Sequence, residues 1–169
     1  STYDTNGNRT LYIWYNWDTA TQSFVPSYKD EYAYDANGNQ TLYIYYNWDT
    51  ATQSFVPQNK YESTYDANGN RTLWIRYNWD TATQSLVPSD KMESTYDANG
   101  NRTLYIWYNW DTATQSFIPT QRDVRVYEYN FSPVGPMISW KVEKYYPALG
   151  VFKPSFVKEY SVHTDTETD

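Results

Sequence analysis

Cysteine is absent from the sequence, methionine occurs twice, and histidine occurs once, as His163. Without thiols the chain can form neither a disulfide framework nor a thiolate metal site. Long apolar runs are also absent, so no segment is predicted to insert into a membrane. Because 20 tyrosines and 8 tryptophans supply ample apolar surface for burial, the chain is predicted to be folded and soluble.

An excess of positive charge is missing as well. The 13 lysines and arginines are outnumbered by 20 acidic residues, which gives a formal net charge of −7. The basic residues are spread singly along the chain, whereas binding to a nucleic-acid backbone needs a concentrated basic surface. We therefore expect no nucleic-acid partner.

Groups for acid–base or nucleophilic catalysis are not brought together by the sequence pattern. The carboxylates recur in similar turns, and His163 belongs to a polar segment near the end of the sequence. Catalysis by acid and base requires titratable groups whose environments separate their pKa values. We expect no enzymatic activity and no cofactor.

The dominant feature of the sequence is an internal repeat of 31 residues. A regular period of this length predicts an array of similar structural units. Each copy opens with the motif Tyr-Asp-x-Asn-Gly-Asn, at Tyr3, Tyr34, Tyr65 and Tyr96.

The repeats suggest a division of the chain into three parts. We expect four tandem repeats over residues 1–126, a divergent capping repeat over 127–162 and a polar tail over 163–169. The residues before Tyr3 match those before Tyr96, so the first copy begins within a repeat. We therefore expect a processed or partial chain.

The opening motif predicts a tight β-hairpin. In the second copy, Asp35 suits the first position of a type I turn, and Gly38 suits the left-handed position that follows. This favours a three-residue loop with a bulge at Gly38 over a two-residue type I′ turn centred on Asn37 and Gly38, which differs in register by one residue. The predicted turn residues are Asp4, Asn6, Gly7, Asp35, Asn37, Gly38, Asp66, Asn68, Gly69, Asp97, Asn99 and Gly100.

The oxygen atoms of this turn are also of the kind that binds calcium. The motif lacks the alternating acidic ligands and the distal glutamate of an EF-hand. Calcium (Ca2+) is therefore a minor hypothesis and no metal site is predicted, because turn chemistry explains the same residues.

A strand follows each turn, and its two faces differ in how they vary between copies. The segment 41–48 is rich in β-branched and aromatic residues and contains neither glycine nor proline. One face, here called the invariant face, keeps Leu, Ile, Tyr and Trp in every copy and is the predicted core. Its residues are Leu11, Ile13, Tyr15, Trp17, Leu42, Ile44, Tyr46, Trp48, Leu73, Ile75, Tyr77, Trp79, Leu104, Ile106, Tyr108 and Trp110.

The opposite face of the same strands, here called the variable face, changes between copies but remains aromatic. Its rings either form a platform on which glycans stack, or meet neighbouring chains, or cover a second layer of core. We expect a ligand or partner if these rings are exposed in a single chain, and no lectin function if they are buried in it. The residues of the variable face are Tyr12, Trp14, Tyr43, Tyr45, Trp74, Arg76, Tyr105 and Trp107.

A returning strand is predicted from Phe55 to Tyr65, after a polar loop. Pro57 cannot donate a ladder hydrogen bond, so either pairing begins just after it or a bulge lies there. Lys60 and Glu62 share one face of this strand and are predicted to point to solvent. Each repeat is thus predicted to contribute two strands to an all-β, antiparallel hairpin meander that forms an extended twisted sheet. Parallel solenoid coils are the alternative, and the Asn-Gly turns argue against them.

The divergent repeat is predicted to cap the array. Residues 138–143 alternate strictly between apolar and polar side chains. An outer strand with polar residues suppresses pairing at a sheet edge. We therefore expect this segment to be the outer strand.

The motif Tyr-Asp-Ala-Asn-Gly-Asn-Arg-Thr resembles the YD repeat of RHS-type and teneurin-type proteins, whose hairpins wrap into large β shells. The longer period and the Tyr-Asn-Trp-Asp-Thr segment are more similar to tandem-repeat surface proteins secreted by Bacteroidetes. These resemblances imply a secreted or cell-surface protein with a structural, adhesive or shell-forming role.

The loop between the two strands of each repeat carries Asp-Thr-Ala, which resembles the O-glycosylation sequon of Bacteroidetes. A glycan there would help to keep an aromatic-rich array in solution. An Asx turn repeated by duplication explains the same residues. The candidate glycosylated residues are Thr19, Thr50, Thr81 and Thr112.

Two functions from different classes are therefore expected. The first is an extracellular structural or adhesive protein, such as a stalk, shell or filament subunit, which associates with itself or with further repeats of the same protein. The second is a glycan-binding module that uses the variable face to hold cell-surface or environmental glycans.

Overall fold

The computed structural model describes residues 1–127 and 137–159. These residues form eleven antiparallel strands whose order in the sheet follows their order in the chain, which confirms the all-β hairpin meander. The strands are β1 (Thr2–Tyr3), β2 (Arg9–Asp18), β3 (Ser23–Tyr34), β4 (Gln40–Asp49), β5 (Ser54–Tyr65), β6 (Arg71–Asp80), β7 (Ser85–Tyr96), β8 (Arg102–Asp111), β9 (Ser116–Tyr127), β10 (Met137–Tyr146) and β11 (Val151–Glu159), with a short 3-10 helix at Pro147–Leu149.

The chain divides into two compact units, Ser1–Asp90 and Lys91–Asp169, and the division falls inside β7. The predicted polar tail over 163–169, which contains His163, lies outside the described residues, as do parts of the predicted capping repeat. Within the described ranges, no helix is long and apolar enough to cross a membrane.

The turn of each repeat has the three-residue form. The Gly38 N–H donates to the Asp35 carbonyl oxygen over 3.1 Å, and the Asp35 N–H donates to the Asn39 carbonyl oxygen over 3.0 Å. Gly38 has a φ of +82°, whereas Asn37 does not have the positive φ that a type I′ turn requires. The Asp35 carboxylate fixes the loop by accepting hydrogen bonds from the Asn37 and Asn39 N–H groups, each over 2.9 Å.

Each complete return strand of the first unit contains a bulge beside its proline. Pro57 lies opposite Tyr46 and Asn59 lies opposite Tyr45, so Gln58 is an extra residue without a partner on β4. Of the two sequence-based alternatives for this proline, the structure has the bulge. The extra residue changes which side chains face each way for the rest of β5.

The bulge corrects the prediction for Lys60 and Glu62. Lys60 lies opposite Ile44 and Glu62 lies opposite Leu42, so both point to the invariant face. They are partly covered there, with side-chain exposures of 22% and 40%. The prediction that they simply point to solvent is therefore wrong.

The predicted core is not a buried core. Among the described residues no apolar residue is buried, and the buried residues are the charged Asp30, Asp123 and Glu143. Residues of the invariant face, such as Ile44 and Trp48, remain half-exposed. The reason is that the described strands of each unit form a single layer, with no second layer over either face. The same finding removes the alternative in which the variable face covers a second layer of core.

The prediction of the outer strand is also corrected. Residues 138–143 lie in β10, which pairs with β9 on one side and with β11 on the other. The outer strand of the second unit is β11, and it contains Pro154 and a bulge next to it. Alternation of apolar and polar side chains shows that the two faces of a strand differ, but it does not show whether the strand has one neighbouring strand or two.

Candidate functional site

The rings of the variable face form a continuous row in the first unit. Tyr32, Tyr43 and Tyr61 stack across β3, β4 and β5 with ring centroids 5.2 and 5.7 Å apart and interplanar angles of 18° and 12°. Trp74 on β6 extends the row, 5.6 Å from Tyr61. Aromatic pairs at these distances contribute about 0.5–1.5 kcal/mol each beyond the area they bury. The row therefore has a fixed geometry at the surface.

A second row crosses β2, β3 and β4. Trp14 stacks on Tyr28 with centroids 6.4 Å apart, and Tyr28 contacts Tyr45 at 5.9 Å. Trp14 is exposed, whereas Tyr45 is half-buried. The indole N–H of Trp14 donates to the side-chain oxygen of Asn16, on the same strand, over 3.0 Å. The ring faces thus remain available while the polar edge of the indole is bonded.

Shallow grooves lie beside these rings. In the first unit, a groove of about 280 Å³ places four aromatic rings beside amide, hydroxyl and guanidinium groups. Its lining residues are Gln40, Tyr43, Tyr61, Ser63, Tyr65, Arg71 and Trp74. In the second unit, a groove of about 370 Å³ is lined by Tyr105, Trp107, Thr120 and Gln121. Four residues predicted for the variable face therefore line grooves, one pair in each unit.

Charged residues are built into the variable face. Asp30 is 8% exposed and accepts a hydrogen bond from the Tyr43 hydroxyl over 3.0 Å. Burial and this hydrogen bond raise the pKa of Tyr43 well above its ordinary value. Arg76 forms an ion pair with Asp90, so the guanidinium predicted for this face is held by a carboxylate.

Residues of the return strands were missing from the predicted variable face. Tyr28, Tyr32 and Tyr61 supply one ring of every contact in the two rows. The signal that could have found them is Pro57, because a bulge at the proline assigns Tyr61 to the side of Tyr43.

The invariant face carries a repeated cluster of lysine, glutamate and tyrosine. The Lys60 ammonium lies 3.0 Å from a Glu62 oxygen and 3.8 Å from the centre of the Tyr77 ring. The Tyr77 hydroxyl donates to the other Glu62 oxygen over 2.6 Å. The same arrangement recurs in Lys29, Glu31 and Tyr46 and in Lys91, Glu93 and Tyr108.

The electrostatics of the cluster favour an ionised carboxylate and a neutral phenol. Burial raises the pKa of Glu62, but hydrogen bonds from Tyr77 and Lys60 outweigh it, so the pKa lies below its ordinary value. Burial and the hydrogen bond to Glu62 raise the pKa of Tyr77 to about 12. The cluster therefore keeps one protonation state over a wide pH range.

In the second unit, a related cluster has two cations and a more deeply buried carboxylate. Glu143 is 3% exposed. It accepts a hydrogen bond from the Arg122 Nε over 2.6 Å and pairs with the Lys141 ammonium at 2.7 Å. A buried carboxylate needs such partners, because its desolvation is costly.

The loops that carry Asp-Thr-Ala are Asx turns. In the second repeat, Asp49 accepts hydrogen bonds from the Ala51 N–H over 2.8 Å and from the Thr52 hydroxyl over 2.9 Å. Gln53 follows with a φ of +52°. The candidate glycosylated residues Thr19, Thr50, Thr81 and Thr112 are all exposed. The geometry thus accounts for the shape that the loop has in every copy, and it leaves these threonines accessible.

The turn that could supply calcium ligands uses its carboxylate oxygens locally. In Asp35, one oxygen accepts from two backbone N–H groups and the other accepts from the Asn39 side-chain amide over 3.0 Å. Within residues 1–127 and 137–159, no group of three or more His, Cys, Asp or Glu side chains is placed to hold a metal ion.

No protein-family model matches the chain, and no curated protein matches it. Among solved structures, the chain is similar to a protein of unknown function from Bacteroides fragilis, with 13% identity and a TM-score of 0.56 over 79% of this chain and 92% of that chain. It also matches two DUF3836 family proteins. The one from Bacteroides vulgatus has 18% identity and a TM-score of 0.44 over 55% of this chain and 88% of that chain. The one from Parabacteroides distasonis has 21% identity and a TM-score of 0.38 over 53% of this chain and 91% of that chain. The first of these similarities supports the fold.

Proposed function

We propose that the chain is a structural and adhesive module of an extracellular protein, such as a stalk, shell or filament subunit, without catalytic activity. The variable face is its adhesive surface. The observation that carries the proposal is the row Tyr32, Tyr43, Tyr61 and Trp74, whose stacked rings stay half-exposed on one side of the sheet. Aromatic surface that a single chain leaves open is typical of an interaction site.

The way in which the sheet is stabilised fits a structural role. Each repeat is held by the same Asp-centred turn, the same Asx loop and the same type of side-chain cluster, as Asp35, Asp49 and Glu62 illustrate. These contacts are local to a repeat and its neighbours, so they can recur along an array without a central core. A surface built in this way presents the same chemistry at regular intervals.

Adhesion can be tested with matched tryptophan variants. We expect a chain with Trp74→Thr and Trp107→Thr, one change on the variable face of each unit, to dissociate at least tenfold faster from glycan- or protein-coated sensors than the parent chain. The control carries Trp17→Thr and Trp110→Thr on the invariant face. Circular dichroism must show that both variants are folded. Equal retention of the two variants would contradict the proposal.

An extracellular location is part of the same proposal. It is supported by the exposed Asp-Thr-Ala loops and by the resemblance of this motif to a glycosylation sequon. We expect the intact mass of native material to exceed the sequence mass by steps of hexose size, with the additions on Thr19, Thr50, Thr81 and Thr112. An unmodified mass would remove the glycosylation hypothesis, and the adhesion assay would still test the variable face.

A second candidate function is glycan binding, and the two grooves favour it. Sugar C–H faces pack against aromatic rings, while amide and hydroxyl groups bond the sugar hydroxyls. Trp74 with Gln40 in the first unit and Trp107 with Gln121 in the second provide both kinds of group. On a glycan array, Trp107→Ala is expected to weaken binding, and a soluble oligosaccharide is expected to compete. Adhesion that no soluble sugar reduces would favour the structural role alone.

A further inference from the structure

The hairpin turns carry a chemically reactive pair of residues. Each copy of the repeat places an asparagine directly before a glycine, and both residues are exposed in every copy. Because glycine has no Cβ, its backbone nitrogen can approach the side-chain amide of the preceding asparagine with little hindrance. The pairs are Asn6-Gly7, Asn37-Gly38, Asn68-Gly69 and Asn99-Gly100. Burial therefore does not protect these side chains.

The reaction open to such a pair is deamidation. In the second copy, the Gly38 nitrogen would attack the side-chain carbonyl carbon of Asn37, lose its proton and close a cyclic succinimide. The bond between that carbon and the side-chain nitrogen breaks, and ammonia leaves with the proton. Water then opens the ring at either carbonyl group, which leaves aspartate or isoaspartate. The reaction therefore needs no reagent except water.

The folded turn holds the two reacting groups apart. The Gly38 N–H donates to the Asp35 carbonyl oxygen over 3.1 Å, so the attacking nitrogen is engaged with Asp35. The Asn37 N–H donates to the Asp35 carboxylate over 2.9 Å, which fixes the backbone on the other side of the reacting carbon. Attack requires the backbone of Asn37 to rotate away from the ψ of about 0° that a type I turn has at this position. Both hydrogen bonds must therefore break before the ring can close.

The other three turns repeat both hydrogen bonds. The glycine N–H donates to the aspartate carbonyl oxygen over 3.1–3.2 Å, and the asparagine N–H donates to the aspartate carboxylate over 2.9–3.0 Å. The aspartates of these turns are Asp4, Asp66 and Asp97. In every copy, the residue that shapes the turn is thus also the residue that keeps the asparagine and the glycine from reacting.

We propose that Asn6, Asn37, Asn68 and Asn99 are latent sites of deamidation, and that the aspartate of each turn keeps them unreactive while its hairpin is closed. Asp35 is a positioning residue, since it takes no part in the reaction. The rate at each asparagine follows the fraction of time for which its own hairpin is open. The proposal does not depend on what the variable face binds.

The product makes each opening irreversible. Isoaspartate adds one carbon to the backbone between Asn37 and Gly38, so the hydrogen bond from the Gly38 N–H to Asp35 can no longer form with the same geometry. A modified hairpin therefore does not close again in its original form. Deamidation at one turn is a lasting record that this hairpin has opened.

The test measures deamidation of each turn in the whole chain at mildly alkaline pH. Trypsin cleaves after lysine and arginine, so each turn is recovered in a peptide of its own mass, as residues 1–9, 30–60, 61–71 and 92–102. We expect every asparagine of the four pairs to react at least about tenfold more slowly in the folded chain than in the chain unfolded in guanidinium chloride. Equal rates in the two states would overturn the proposal.

Variants separate the role of the aspartate from folding in general. Asp35→Ala should accelerate the reaction of Asn37 by about tenfold and leave Asn68 at the parent rate, because it removes hydrogen bonds from one turn only. The matched control is Asp49→Ala, which removes a carboxylate that fixes the loop at the other end of β4 and should leave Asn37 unchanged. Asp35→Asn keeps a side-chain oxygen as acceptor and should retain most of the protection.

Two results with these variants would overturn the proposal. In the first, Asp35→Ala accelerates Asn37 no more than Asp49→Ala does, so the aspartate of the turn gives no protection. In the second, Asp35→Ala accelerates all four asparagines equally, so the rate follows unfolding of the whole chain rather than opening of one hairpin.

Discussion

At the scale of single residues, each repeat contains two positions with a left-handed backbone conformation, and the two are filled by different residue types. In each repeat the hairpin turn uses glycine, with a φ of +82° at Gly38, whereas the loop uses glutamine, with a φ of +52° at Gln53. A side chain makes this conformation unfavourable by roughly 1–2 kcal/mol. A Cβ added at Gly38 would meet no heavy atom within 4 Å, so backbone conformation alone requires the glycine.

This contrast predicts opposite effects for two substitutions. Gln53→Gly should raise the free energy of unfolding by about 0.5–1 kcal/mol, because it relieves the left-handed strain at a cost in chain entropy. Gly38→Ala should lower it by about 1 kcal/mol. Urea denaturation measures both changes. Gln40→Gly, in a strand with ordinary backbone angles, is the control and should destabilise; if Gln53→Gly behaves in the same way, the loop is not strained.

The Lys–Glu–Tyr clusters predict how stability depends on pH. The pKa of Glu62 is lowered in the folded state, so the unfolded state binds more protons in acid, and stability is lost as the pH falls below about 4.5. The pKa of Tyr77 is raised to about 12, so stability is lost as the pH rises from about 10 towards 12.

Two variants test which group causes each loss of stability. Glu62→Gln should make the free energy of unfolding depend less on pH in acid, and Tyr77→Phe should make it depend less on pH in alkali. Both effects should be partial, because the clusters of Glu31 and Glu93 still titrate. Urea denaturation across the pH range measures the slopes. If the free energy of unfolding falls equally steeply in acid in the parent and in Glu62→Gln, this carboxylate does not contribute to the pH dependence.

At the scale of strands and turns, local chemistry was enough to predict the hairpins but not the faces of the return strands. Asp35 and Gly38 specify the turn through hydrogen bonds within five residues, so the sequence reveals them directly. The face to which Lys60 points depends on whether the strand contains a bulged residue before it. Alternation has a period of two, and a single bulged residue such as Gln58 therefore inverts every later assignment.

The candidate site was predictable to the same extent. Positions of the variable face on β2, β4, β6 and β8 follow from the unbroken strand after each turn, whereas Tyr28 and Tyr61 on the return strands do not. Burial of the invariant face was predicted wrongly because it depends on a second layer. Apolar residues that recur in every copy, such as Ile44, show which side chains share a face, but they do not show what covers that face.

The bulge gives a prediction at this scale. Deletion of Gln58 would leave Pro57 opposite Tyr46 and Asn59 opposite Tyr45 in an uninterrupted ladder, and it would remove the bend and the extra twist that the bulge gives to β5. We expect a loss of roughly 2 kcal/mol in the free energy of unfolding. Gln58→Ala keeps the backbone and loses only a weak hydrogen bond to the Val56 carbonyl, so it should cost less than about 1 kcal/mol. Equal losses in the two variants would show that the backbone geometry of the bulge does not contribute to stability.

At the scale of the whole molecule, the stabilising contacts differ in kind from those of a globular domain. The structure contains stacked rings, cation–π contacts and hydrogen-bonded charges, while no apolar residue is buried among the described residues. Such contacts link neighbouring strands and leave both faces of the sheet in water. The hydrophobic effect scales with the apolar area that is removed from water, so it contributes less per residue here than in a packed core.

This difference predicts the heat capacity of unfolding. Globular proteins gain about 12–15 cal/mol/K per residue when they unfold, because apolar surface becomes hydrated. A chain that leaves its apolar side chains half-exposed should gain distinctly less, and differential scanning calorimetry at low protein concentration measures the value. A heat capacity in the usual range that stays constant on dilution would show that one chain covers these faces by itself, contrary to the structure. A value that rises with concentration would show instead that chains cover one another's faces, as expected if the sheet serves to assemble or adhere.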